Sequence, residues 1–360
     1  MIKKLCLLFV LLNLFYDGFA CTGIFLKTTD GNYIYARTLE FDLGIESEVL
    51  FIPRNYVLKS SQSGNKDTFS WKTTYAAIGA NGMHIENFVD GINEKGLAGG
   101  LFYFPGFAKY ESVSEEDLSR AIPMWILLTY ILTQCASTDE VKELLKTIKI
   151  SNELMPNWPS KFPPSLHIIV HDIKGNSLVI EVSDGVVKTF DSQLGIMTNS
   201  PNYDWHMTNL SNYINLDNED VASKKLGNFD VKAVSLGTGM LGLPGDFTSP
   251  SRFVRATLMT VNSVPKDTEN SIDQVFHILN NFDIPEGFVV GKQLDRRLIE
   301  YTQWTSAADL INKKFYFKMH ENPQIYVVDL LKMNLNDSKP SIFPMKYPNK
   351  IIDVTALNSK

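Results

Sequence analysis

The chain has 360 residues, enough for one large domain or two small ones, and 44% of them are apolar, which suffices for a sizeable core. The formal net charge is −6 and the lysines and arginines are scattered, so there is no basic stripe for a phosphate backbone and no expectation of nucleic-acid binding. Nothing after the first twenty residues is apolar over a length that would span a bilayer.

Met1-Ile2-Lys3-Lys4 is a short cationic start, followed by an apolar run from Leu5 to Phe15 and small residues at Gly18 and Ala20. That order predicts a secretory signal peptide over residues 1–20, cut before Cys21, and hence an exported protein, periplasmic or secreted. After such a cut Cys21 carries both a thiol and a free α-amine. Thiolates attack carbonyls, and an α-amine with an ordinary pKa of about 7.7–8.0 takes up and returns a proton, so one residue supplies nucleophile and base. Two other fates are open to it. Cys21 can be the lipidated first residue of a lipoprotein, although Gly18-Phe19-Ala20 fits that pattern poorly. It can also pair in a disulfide with Cys135, the other cysteine left once Cys6 departs with the leader. Either fate would make this a non-catalytic exported binding protein.

Residues 23–29 and 33–39 are rich in β formers around the turn Asp30-Gly31-Asn32, which predicts a hairpin that returns Arg37 to the side of the first strand. Residues 97–104 read as a buried strand whose Gly99 and Gly100 admit another backbone or a ligand. Ser114 to Asp117 reads as a cap with acids in the first turn of a helix over 118–133, kinked at Pro123. Ser137-Thr138-Asp139-Glu140 is a capping box that opens a second helix through Ile148. Strands follow over 166–172, 178–182 and 186–190, then helices over 251–264 and 271–281, then strands over 299–305, 314–318 and 324–329. Grouped strands and grouped helices without βαβ alternation predict a layered α+β fold with antiparallel sheets. The tail, residues 331–360, reads as an irregular surface extension.

Gly237-Thr238-Gly239-Met240-Leu241-Gly242 matches the dinucleotide pattern, but the turn residues Leu243-Pro244-Gly245-Asp246 follow where a helix should open. The run is read as a glycine-rich loop shaping a pocket. The six histidines show no metal-ligand spacing; His167 and His171 share one face of a strand, and none is an evident partner for a papain-like cysteine. The base is therefore left to the α-amine, and no metal or organic cofactor is expected.

Cys21-Thr22-Gly23, Arg37-Thr38-Leu39-Glu40, Gly91 to Leu97, Phe104-Pro105-Gly106, Thr198 to His206, Leu236 to Asp246, Ser251-Arg252-Phe253 and Glu300 to Thr305 together resemble the choloylglycine hydrolases and penicillin V acylases, which are N-terminal-nucleophile hydrolases. The resemblance runs in order from residue 21 to about 330 and so covers one domain. It implies a four-layer αββα sandwich with two antiparallel sheets and hydrolysis of a linear amide C–N bond. Carried over by position, Cys21 is the nucleophile, Arg37 sits beside it, Glu40 is the acid, Tyr103 and Asn199 line the oxyanion hole, and Arg252 completes the site by holding the acid or the substrate. The family commonly has Asp where this chain has Glu40, which makes Asp42 a second candidate for the acidic role; at Tyr103 bile salt hydrolases usually show Asn and penicillin V acylases Tyr. The implied partner is a small-molecule N-acyl amide, such as a conjugated bile acid, penicillin V or an acyl-homoserine lactone, with Phe41, Phe104 and Phe107 offering apolar surface. No membrane anchor is implied after leader removal. The segment 209–234 is long enough to match the loop that builds tetramers in some members, so the resemblance adds a homotetramer as a further expectation.

Overall fold

In the computed structural model, which describes residues 20–60, 69–111, 113–293 and 296–355, the predicted hairpin is formed by β1 (Cys21–Lys27) and β2 (Tyr33–Phe41). Of the expected leader only Ala20 lies among the described residues. Gly31 takes φ 86° at the turn, where a side chain would be strained, and Asn32 N–H donates to the Thr28 hydroxyl at 2.8 Å. The register sets Cys21 opposite Leu39 and Gly23 opposite Arg37. Because strand side chains alternate, Cys21, Leu39 and Arg37 share one face and Thr22, Thr38 and Glu40 the other.

On its far edge β2 pairs with the long strand Arg296–Asp309, followed outward by Lys314–Met319 and Asn322–Asp329, while Val289–Gln293 pairs with Arg296–Asp309, giving a six-stranded antiparallel sheet. A second, eight-stranded antiparallel sheet runs from Val186–Asp191 through Ser177–Ser183, Leu166–His171, Ala98–Tyr103, Asp90–Asn93, Ala77–Ala80 and Glu48–Ile52 to Ser341–Pro344. Helix α1 (Met124–Gln134) is apolar almost all round and packs behind the eight-stranded sheet, with α2 (Thr138–Leu145) following it. A short helix, α3 (Tyr203–Asn209), precedes α4 (Ser249–Val261) and α5 (Thr268–Leu279), which cover the six-stranded sheet. The order helix, sheet, sheet, helix is the αββα sandwich, with one buried cluster between the sheets and beneath α4 and α5 and another beneath α1.

Three expectations change. Residues 118–133 do not form one kinked helix: a 3₁₀ turn, Glu115–Arg120, leads into a short strand, Ala121–Pro123, and the helix starts at Met124 with Pro123 as its N-cap. Proline has no N–H to give and holds the residue before it extended, so the helix begins behind it. That strand pairs in parallel with Lys149–Ser151, a small exception to the antiparallel rule. The tail is not wholly irregular. Ser341–Pro344 pairs with Glu48–Ile52 and Met345 is buried, because the edge strand Val49-Leu50-Phe51-Ile52 is apolar on both faces and needs cover.

Glycines allow the middle of the eight-stranded sheet to close: a Cβ on Gly79 would run into the Asp90 carbonyl and the Gly91 Cα of the neighbouring strand. Gly79→Ala is expected to cost about 1–3 kcal/mol through overpacking, read as a lower midpoint in denaturant unfolding; an unchanged midpoint would show that the strands can part without cost.

Candidate active site

The hairpin and the long strand after it bring the chemistry to the start of β1. Arg37 Nη2 donates to Cys21 Sγ at 2.9 Å. The rest of its guanidinium is fixed by the carbonyls of Leu101 at 2.6 Å and Thr38 at 3.1 Å, and it lies over the Phe102 ring at 4.3 Å. A fully buried cation held this way is stationary, and its charge favours the thiolate. Burial acts in the opposite sense and is the larger effect: it raises the Cys21 thiol above its ordinary value, while Arg37 and Arg252 lower it and Glu40 raises it further.

In this chain the Cys21 nitrogen is the amide of the Ala20–Cys21 peptide and stands where the α-amine would be after a cut. It donates to Asn199 Oδ1 at 2.8 Å. Asn199 Nδ2 donates to the Tyr103 carbonyl at 2.8 Å, so one of its two amide hydrogens is committed there. Arg252, at the start of α4, donates to the Cys21 carbonyl, to the Thr22 hydroxyl at 3.0 Å and to Asn199 Oδ1 at 2.6 Å. It therefore ties the Cys21 main chain to Asn199 and acts on Glu40 through space. Ser249 and His206 complete the cradle: Asn199 N–H donates to Ser249 Oγ at 2.9 Å, and His206 Nε2 lies 2.8 Å from the Asn199 carbonyl.

Glu40 is buried on the helix side of the sheet, with its backbone N–H on the Ala20 carbonyl at 3.0 Å and one carboxylate oxygen accepting from the Thr302 hydroxyl at 2.8 Å. Its other oxygen has no hydrogen-bond partner, and burial pushes its pKa up to about 8 against the pull of Arg252. Glu300 is a second buried carboxylate at the same junction, raised to about 7 by burial and drawn down by Arg252 and by the Ala20 backbone N–H. Asp42 is partly exposed and adds to the negative field on Glu300.

All six candidates, Cys21, Arg37, Glu40, Tyr103, Asn199 and Arg252, are buried. Cys21, Arg37, Glu40 and Tyr103 line one cavity of about 570 Å³ whose other walls include Phe41, Met83, Trp125 and Trp158. An apolar lining with a thiol in the wall suits the acyl part of a small substrate. Phe104 and Phe107 are not on its wall; they stack on each other at 5.6 Å, and Phe104 stacks on His167 at 4.2 Å. His167 and His171 are core residues, set against the Thr198 carbonyl and the Ser177 hydroxyl. In the glycine run Gly237, Leu241 and Gly242 are exposed and Gly239 is buried, the N–H groups of Gly237 and Thr238 donate to Asp220 Oδ1, and Met240 lines a surface groove with α4 and α5 and not the thiol cavity. Cys21 and Cys135 are both free thiols and sit in separate buried clusters, so the disulfide alternative is not formed. Among the described residues no group of three His, Cys, Asp or Glu side chains could hold a metal ion, and no helix is long and apolar enough to cross a membrane.

Ser249 and the carboxylate of Glu300 were not singled out as site residues by the sequence reading. Ser249 carries no local signal, while Glu300 lies inside a recognised block and could have been chosen for its charge.

The raised carboxylates give a pH dependence with a definite sign. Folded Glu40 binds its proton up to about pH 8, whereas in the unfolded chain it releases it near 4.5. Its contribution to stability is thus fully present below 4.5 and is lost as pH rises through about 8. For the chain that retains Ala20, melting temperature should fall over this window, and Glu40→Gln should flatten the fall; an equally steep profile in the variant would show that Glu40 does not hold the proton.

The description "linear amide C-N hydrolases, choloylglycine hydrolase family" matches residues 21–343. The bile salt hydrolase/transferase of Clostridium perfringens is 34% identical over 343 residues, which cover 94% of this chain and all of the relative. A crystal structure of the conjugated bile acid hydrolase from Clostridium perfringens superposes with a TM-score of 0.81 at 33% identity, covering 93% of this chain and 99% of that one. The penicillin V acylase of Pectobacterium atrosepticum is 25% identical over 335 residues, 88% of this chain and 82% of the relative. A thiol set in an apolar cavity beside a buried arginine, on an αββα sandwich shared along nearly its whole length with these proteins, places the chain in the choloylglycine hydrolase family, as an enzyme acting on linear amide C–N bonds.

Proposed function

We propose that the protein is an exported amidase that cleaves N-acyl amides, conjugated bile acids and penicillin V among them, with Cys21 as an N-terminal nucleophile. The observation that carries this reading is the 2.9 Å contact of Arg37 with Cys21 Sγ at the end of an apolar cavity. Removal of the leader before Cys21 frees the α-amine. The thiolate then attacks the acyl carbon and forms the C–S bond, and the oxyanion is met by N–H donors of Asn199 and Tyr103. As the C–N bond breaks, the α-ammonium gives its proton to the leaving amine. Water attacks the thioester and passes a proton back to the α-amine, the C–S bond breaks, and the carboxylic acid leaves. Arg252 keeps the Cys21 main chain and Asn199 in register for both steps. Glu40 and Glu300 supply negative charge beside the new ammonium.

A turnover panel of taurocholate, glycocholate, penicillin V and acyl-homoserine lactones tests the substrate class. Cys21→Ala should abolish hydrolysis of every active member with the fold intact, and N-terminal sequencing of the exported protein should begin at Cys21. Residual hydrolysis by Cys21→Ala would sink the mechanism, and a mass increment of a diacylglycerol on Cys21 would restore the lipoprotein alternative. Loss of one oxyanion donor in Asn199→Ala is expected to lower turnover by about 10²–10³.

We further propose that the exposed arm around the hairpin Lys224–Leu226 and Phe229–Val231 builds a homotetramer from copies of this chain. Leu226, Phe229 and Leu236 are each more than 60% exposed there, surface that a lone chain leaves in water. Light scattering should give four times the chain mass and Phe229→Glu a smaller species; a monomeric parent protein would rule the arm out as an assembly surface.

A further inference from the structure

Asp90 is a buried carboxylate that the reaction above does not use, and its Oδ1, which has no hydrogen-bond partner, lies on the side of the eight-stranded sheet that faces Arg37. It is 1% exposed on the strand Asp90–Asn93, and its carboxylate crosses the sandwich to accept the Ser306 hydroxyl of the strand Arg296–Asp309. Gly100, its register partner on the next strand, has no side chain, and the place a Cβ would take is ringed by three polar groups. The Tyr35 hydroxyl is nearest, Asp90 Oδ1 is 3.0 Å away and Arg37 Nη1 is 3.1 Å away. A carboxylate and a guanidinium thus converge on one point in a dry interior, where charge is weakly screened. The other end of the same guanidinium touches Cys21 Sγ.

We propose that Asp90 is a positioning residue for the thiol: its charge, set on the far side of Arg37, limits how much of the Arg37 charge acts on Cys21 Sγ, and so sets the pH at which the thiolate forms. Its consequence for turnover rests on the reading of Cys21 as nucleophile, while its measurement does not. The groups that act on Asp90 are Arg37 and Tyr35 from β2 and Ser306 from the long strand; α1, packed behind Asp90–Asn93, has no charged residue. Those that act on Cys21 are Arg37, Arg252 and Glu40. Burial raises Asp90 to about 6 against the pull of Arg37, so its charge changes just below neutrality. When Asp90 is neutral, Arg37 acts on the thiol undiminished, so removing the carboxylate favours the thiolate.

The test is the pH profile of Cys21 alkylation by iodoacetamide in the full chain with its leader removed, followed by intact mass. Asp90→Asn keeps the shape and removes the charge, and it should shift the profile down by about 1 pH, which is up to tenfold faster alkylation on the acid side. A profile that stays in place or moves up overturns the proposal. Should Asp90→Asn fail to fold, Ser306→Ala leaves the carboxylate charged and takes away the hydroxyl that partly offsets it, so it should move the profile up by a smaller amount; a flat or downward result there overturns it equally. Turnover by Cys21→Ala is measured separately, so a failure of the nucleophile reading is seen apart from a failure of the Asp90 assignment.

Discussion

The buried guanidinium of Arg37 is the constraint on which the rest of this site depends. Taking such a cation out of water costs several kcal/mol unless hydrogen bonds and counter-charge replace its hydration. The fold meets that demand from both sheets at once. Leu101 and Val89 give carbonyls from the eight-stranded side, Thr38 gives one from β2, Phe102 and Trp304 give ring faces, and Cys21 gives its sulfur. Hydrogen bonds to a charged group contribute about 1.5–3 kcal/mol each, so the two sheets are drawn together around the same cation that faces the thiol. Stability of the sandwich and the charge that meets the Cys21 thiol share one cause.

A second network holds the main chain of Cys21 in place while the first addresses its side chain. Arg252 reaches down from α4 to the Cys21 carbonyl and to Asn199, and Asn199 spans the distance to Tyr103 at the end of the Ala98–Tyr103 strand. Helix layer, six-stranded sheet and eight-stranded sheet therefore converge on one residue. The junction with Ala20 belongs to the same arrangement, since the Ala20 carbonyl is bound by the Glu40 N–H and its own N–H lies toward Glu300. Burial raises both carboxylates beside this peptide, Glu40 to about 8 and Glu300 to about 7.

Much of this was readable before any coordinates. The hairpin of β1 and β2 and the strands of the eight-stranded sheet from residue 166 to 191 follow from turn residues and runs of β formers, and α2 from its capping box, because those signals are local. The six site residues came from ordered blocks resembling a known family, and the structure brings them together around Cys21. The misses have physical reasons. Pro123 ends one element and starts another, where the apolar run around it suggested continuity. Ser341–Pro344 is too short to show a period and forms because the Glu48–Ile52 edge needs a partner. Phe104 and Phe107 are near Tyr103 in sequence, but Phe104 stacks on His167, Phe107 stacks on Phe104, and neither lines the cavity.

By itself, then, the sequence determined the fold class, the family and the identity of the thiol, because each rests on local chemistry or on the order of motifs along the chain. Only the tertiary structure decided what that thiol meets. That Arg252 grips the Cys21 carbonyl, that Glu300 joins Glu40 at the Ala20 junction, and that Asp90 and Arg37 come near one another beside Gly100 are juxtapositions of residues far apart in the chain. They depend on sheet register and on two layers packing face to face, which no local pattern records.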